Sequence, residues 1–169
     1  MRNNIFFANT IRFLLLFLAQ IFIFNHMNFL GTINPMVYII YLYWYPIREN
    51  RALFLLTCFS LGLSIDLFSD TLALHAMATL TIAYARPVIM RFCFGVNYEF
   101  QTFSFKNTTR IQRVTFMALL VLAHHLVFFS LEILSLSHIL LLLKKLFLTS
   151  MLTLLLCVLF SSLFTLETE

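Results

Sequence analysis

Five apolar runs, at residues 11–30, 52–68, 72–91, 114–134 and 146–164, dominate the chain and are joined by short connections. A bilayer's hydrocarbon core, about 30 Å thick, is crossed by about 20 apolar residues rising about 1.5 Å each in a helix. Each run therefore matches one crossing, and no polar stretch between them is long enough to fold as a second, soluble unit. Composition agrees: of 169 residues, 62% are apolar and 11% charged, with 21 Phe against 3 Gly. Such a chain does not stay dispersed in water, and it lacks the low hydrophobicity and high charge of a disordered one. The expected fold is an all-α integral membrane protein, a polytopic helical bundle forming a single transmembrane domain over residues 1–169.

Residues 36–46, MVYIIYLYWYP, decide the number of crossings. As a helix these eleven residues reach only about 17 Å, so a full crossing has to recruit residues 29–35. The count is six spans, or five if this segment turns back. Loop charge separates the two, because cytoplasmic loops accumulate Lys and Arg. Arg2 and Arg12 put the N-terminus inside. If residues 31–47 cross, Arg48, Arg51 and the basic stretch from Arg86 to Arg113 also face the cytoplasm, while loops 25–35 and 66–71 contain no Lys or Arg. The expectation is six spans, at about 11–30, 31–47, 52–68, 72–91, 114–134 and 146–164, with both termini cytoplasmic. Lys144 and Lys145 then fall near the outer face, where long stems snorkel to headgroups. The tyrosines and tryptophan of YLYWYP fit an interfacial aromatic belt. The cytoplasmic loop 94–113 is the place where a soluble partner would dock. The first run is not followed by a small-x-small cleavage site, so the first helix is expected to be retained.

A charge at the centre of a membrane helix costs about 2.5–3.5 kcal/mol on insertion scales, so polar residues inside the runs need a partner or an interface. Asp66 and Asp70, in GLSIDLFSDT, share one helical face near the outer surface, with His75 following. They read either as a polar site for a cation, a ligand or a partner's cationic side chain, or as carboxylates capping a tight turn, with Asp70 as N-cap of the fourth helix. His124 and His125 project about 100° apart, which argues against joint metal ligation. They read as neutral imidazoles packed between helices, or as a proton relay with Glu132. Arg86-Pro87, with Arg91, ends the fourth span as a lipid anchor and a kink. Ser60, Gly62, Ser64, Ala76 and Ala83 allow the third and fourth helices to approach closely.

Other chemistry has no counterpart in the chain. The 11 Lys and Arg, for a net charge of +4, are scattered rather than clustered in a patch, which disfavours nucleic acid as a partner. Cys58, Cys93 and Cys157 lie in separate apolar runs without a CxxC, as buried small hydrophobes would. No nucleophile elbow, P-loop, HExxH or GxGxxG is present, and neither an enzymatic activity nor a metal or other cofactor is expected.

Two stretches carry a more specific pattern: residues 24–46, with Asn25-His26, Gly31 and Asn34-Pro35 leading into an aromatic half-span, and residues 62–92, a GLxxDxFSxTxxxHAxAT run ending in Arg86-Pro87. Together they resemble MreD, the rod shape-determining membrane protein family. Ala73 stands where similar sequences often carry glycine. The resemblance covers about a third of the chain; the C-terminal half matches in hydropathy alone. It implies a fold similar to the S components of energy-coupling-factor transporters and a place in the bacterial cytoplasmic membrane. It implies a non-enzymatic scaffold of the elongation machinery that binds the bitopic protein MreC and works alongside MreB, RodA and a class B penicillin-binding transpeptidase. It also directs attention to Asp66, Asp70, His75, Arg86 and Pro87 in the central hairpin, and to Asn25, Asn34 and Pro35 in the first outer loop, as structural or partner-organising residues. The runner-up is a substrate-binding subunit of a vitamin transporter. Against it, the first helix, IRFLLLFLAQIFIF, has a single alanine where such subunits carry small residues spaced by three.

Overall fold

Apolar runs become helices because a helix satisfies all but its terminal backbone groups within the segment, and five long ones form among the described residues. The computed structural model describes residues 2–29, 33–99, 103–132 and 139–164. Its long helices are α1 (Arg2–Phe22), α3 (Arg51–Ser69), α4 (Leu74–Phe94), α5 (Arg110–Glu132) and α6 (Ile139–Leu163), with a short α2 (Ile40–Trp44) between the first two. Four helical stretches are long and apolar enough to cross a membrane: Phe6–His26, which runs past the end of α1 into a 3₁₀ turn, Arg51–Ser69, Arg110–Glu132 and Leu143–Leu163. Helix α4 matches them in length but carries His75, Arg86 and Arg91. Gly31 lies outside the described residues.

The bundle has two ends, named here for a residue at each. At the His75 end lie the C-termini of α1, α3 and α5 and the start of α4; at the Arg86 end lie the start of α1, the end of α2 and the C-terminus of α4. Residues 33–46 run from one end to the other. Gln20 on α1 holds the Pro35 carbonyl at the His75 end, 3.0 Å, and Arg86 holds the Tyr45 carbonyl at the other, 2.6 Å. The expected second span is therefore a broken one. Residues 33–36 are not helical, a 3₁₀ turn follows at Val37–Ile39, and α2 completes the passage. The helical part alone, at about 1.5–2 Å per residue, is less than half a bilayer deep. Much of the turn and α2 is enclosed by the bundle: Tyr38, Ile39, Ile40 and Leu42 are 0% exposed, while Tyr43 and Trp44 are half-buried. Such irregular backbone is tolerated at membrane depth where protein surrounds it.

Two further expectations change. Tyr41 and Tyr45 are buried rather than placed in an interfacial belt, and face Phe13 and Phe54 respectively. Pro87 does not end α4, which continues to Phe94 with the proline inside it. The described parts of the 94–113 loop fold back on the bundle, Phe103 and Phe105 packing on Phe94 at 5.3 and 5.7 Å.

Helices α3 and α4 meet closely at Gly62. A Cβ there would stand 2.6 Å from the Ala76 Cα and from the His75 carbonyl oxygen, so backbone meets backbone. Of the small residues expected to allow this contact, Gly62 and Ala76 meet there.

Candidate functional site

Asp66 organises the turn between α3 and α4. It sits near the C-terminus of α3, 3% exposed, and its two carboxylate oxygens accept the backbone N–H groups of His75, 3.0 Å, and Ala76, 2.8 Å. Those are donors of the first turn of α4, which have no partner inside their own helix. A carboxylate there also meets the positive end of the helix dipole. Thr71 Oγ1 donates to the same carboxylate. Asp66 thus supplies the cap from the preceding helix, while the N-cap position itself is Ala73, with no side-chain cap. This corrects the expectation for Asp70. It is the left-handed C-cap of α3, φ 52°, its side chain exposed and on a different heading from Asp66 because the helix stops at Ser69.

Behind this turn lies a buried polar network that joins three elements, the Val37–Ile39 turn, α4 and α5. The Tyr38 hydroxyl stands 2.9 Å from His75 Nδ1 and 2.9 Å from His124 Nε2. One hydroxyl proton serves two imidazoles, so Tyr38 donates to one and accepts from the other. Thr79 donates to the His75 carbonyl, 2.6 Å, and lies 3.4 Å from His124 Nε2. His124 Nδ1 has no partner. A buried lone pair without a donor is better tolerated than a buried N–H without an acceptor. That favours the tautomer in which His124 Nε2–H donates to Tyr38 and Tyr38 donates to His75 Nδ1. His75 Nε2 then carries the proton.

His125 belongs to a second chain. Met36 N–H donates to Thr153 Oγ1 at 3.1 Å, Thr153 lies 3.3 Å from His125 Nε2, and His125 Nδ1 lies 2.8 Å from the Val121 carbonyl. With Thr153 accepting from Met36, its own proton goes to His125 Nε2, and Nδ1–H donates to Val121. The two adjacent histidines pack between helices as neutral rings in separate networks. The relay with Glu132 is not formed: that carboxylate pairs with Lys145 at 3.3 Å.

At the His75 end these networks border a cavity of about 400 Å³ whose lining includes Asn25, Asn34, Asp70, His75, Glu132 and Lys145. Asn25 donates to Ser69 at 2.8 Å and accepts from Gln20 at 2.8 Å, and Asn34 accepts the Asn28 N–H at 2.9 Å. Pro35 lies just beneath, its carbonyl on Gln20. Six of the eight residues singled out by sequence therefore meet at one end: Asn25, Asn34, Asp70 and His75 on the cavity, with Pro35 and Asp66 behind it. Arg86 and Pro87 are at the other. Arg86 is 4% exposed and turned inward, its guanidinium on the Tyr45 carbonyl and 4.9 Å from the Phe54 ring, with Nε unpartnered. It does not reach for lipid phosphate, as the sequence suggested; it closes the C-terminal end of α2, where a cation is favoured.

Sequence reasoning missed Gln20, Tyr38, Thr79 and Thr153. Gln20 had a signal, being a lone amide in an otherwise apolar stretch of α1. Among the described residues no three His, Cys, Asp or Glu are grouped to hold a metal ion. Comparison with protein-family models, with characterised proteins and with solved structures finds no match. The likeness to the rod-shape family thus rests on the residues of 24–46 and 62–92.

Proposed function

We propose that the chain is a non-enzymatic membrane scaffold of the bacterial elongation machinery, binding an MreC-like bitopic protein and helping position peptidoglycan synthesis in rod-shaped cells. The observation that carries this reading is how the motif residues are used. Asp66, Asn25, Pro35 and Arg86 all bond to backbone or side chains of other elements of the same chain. Residues spent on internal geometry suit a protein whose product is a shape held for a partner. MreB, RodA and a class B penicillin-binding transpeptidase would be reached through that partner, and the proposed setting is the cytoplasmic membrane with both termini inside.

The cavity of about 400 Å³ at the His75 end favours a second reading, a substrate-binding subunit of a transporter. Purification from the native membrane in mild detergent, followed by mass spectrometry, separates them. Recovery of an MreC-like bitopic protein supports the scaffold. Recovery of ATPase and coupling subunits, or of a tightly held small molecule, overturns it in favour of transport.

A further inference from the structure

Two groups on the cavity at the His75 end find no partner among the described residues. His75 is 5% exposed, and its Nδ1 is taken by Tyr38. Nε2, which carries the proton, lies on the far side of the ring without an acceptor, and the ring lines the cavity, so this N–H points into it. Asp70 lines the same cavity, exposed, and its carboxylate takes no part in the ion pair there, which joins Glu132 to Lys145. Residues 30–32 and 133–138, next in the chain to lining residues but outside the described structure, contain no Lys or Arg and so bring Asp70 no cation. Phe68, Phe128 and Phe129 give the cavity an aromatic wall.

We infer that this cavity receives an extended segment of the bitopic partner, just where that chain leaves the bilayer, with a backbone carbonyl on His75 Nε2–H and a Lys or Arg side chain on Asp70. The inference rests on the scaffold reading and names the surface through which the scaffold holds its partner. A buried N–H without an acceptor is costly, so the occupant has to bring one. An anion is disfavoured in that role, because Asp70 and Glu132 line the cavity and Asp66 lies behind it. A metal ion is disfavoured too, since His75 offers the cavity an N–H rather than a lone pair. A neutral carbonyl beside a cation answers both groups, and a peptide carries the two together. The aromatic wall suits the apolar stem and the charge of a long basic side chain. A partner helix packed on the bundle presents its first outer residues at this depth, and such tethering lets contacts that are weak singly add to the helix packing.

The test titrates the full chain in lipid nanodiscs with the purified MreC-like bitopic protein of the same cell and reads the apparent Kd. Asp70→Asn, which suits the left-handed backbone of that position, is expected to weaken binding about fivefold, the upper end for an exposed ion pair. Asp70→Lys sets like charges together and is expected to weaken it roughly tenfold. Changing the partner's first Lys or Arg outside its helix to Glu then restores the affinity of Asp70→Lys, which a misfolded chain could not recover. Glu49→Gln, at the Arg86 end, is expected to change nothing. The His75 Nε2–H resonance, followed by NMR of labelled histidine, is expected to move when the complex forms. Undiminished binding by Asp70→Lys, failure of the charge exchange to restore it, a binding partner with no Lys or Arg in that segment, or an unmoved His75 resonance in the formed complex overturns the assignment and leaves the scaffold reading standing. No binding by the wild type overturns the scaffold reading and the assignment with it.

Discussion

The Tyr38 hydroxyl is the residue-scale centre of this protein, because three elements depend on its single oxygen. Tyr38→Phe leaves the ring packing intact and strips the partner from His75 Nδ1 and His124 Nε2 together. Interhelical hydrogen bonds in membranes are worth about 0.6–2 kcal/mol, and stranding buried polar atoms adds to the loss. A destabilisation of about 1–3 kcal/mol is expected in thermal or denaturant unfolding in detergent; an unchanged unfolding midpoint would mean that water or alternative rotamers replace the hydroxyl. Ala73 gives the opposite sign. Its φ of 58° is left-handed, costing an alanine about 1–2 kcal/mol. Glycine removes that strain but loses about 0.4–1 kcal/mol through a more flexible unfolded chain. Ala73→Gly should therefore stabilise by about 0.5–1 kcal/mol, and a lower midpoint would refute the left-handed turn.

At the scale of elements, the hairpin of α3 and α4 was legible and the second span was not. Gly62 stands out as the one glycine in either helix, and a Cβ there would meet backbone rather than a flexible side chain. Overpacking of that kind costs about 1–3 kcal/mol, so Gly62→Ala should lower the unfolding midpoint. Ser60→Ala, on the same helix, should leave it nearly unmoved. Equal effects would show that the helices separate at little cost. Residues 33–46 carry no comparable signal, because what supports their irregular backbone comes from elsewhere in the chain. Gln20 bonds the Pro35 carbonyl and lies 3.4 Å from Tyr38 N–H, while Thr153 accepts from Met36 N–H across 117 positions of sequence. Hydropathy reads the length of such a segment but not the long-range bonds that let a broken one exist. For the same reason the aromatic residues of α2 looked interfacial: Tyr41 and Tyr45 are buried by α1 and α3, whose positions no local pattern supplies.

For the whole molecule, the broken second segment fixes which loops share a side. It carries the chain from the His75 end to the Arg86 end, so α3 starts where α1 started, and Lys106 lies opposite Lys145. Loop charge alone favoured this arrangement, and the bundle gives it a physical path. Single cysteines in a background with Cys93 replaced by serine turn the path into a measurement. Met27→Cys and Lys144→Cys mark the His75 end, and Asn107→Cys marks the Arg86 end; all three positions are exposed. With six crossings and a cytoplasmic N-terminus, a membrane-impermeant maleimide labels positions 27 and 144 in intact cells and reaches 107 after the membrane is broken. With five crossings the pattern at the last two positions reverses, because every element after residue 46 changes sides: 107 is labelled in intact cells and 144 is not. Position 27 is labelled in both cases and reports that the protein has inserted. The reversal would also part Asn25 and Asn34 from Asp70 and His75, which line one cavity here, so one labelling pattern tests the segment's passage and the assembly of that cavity together.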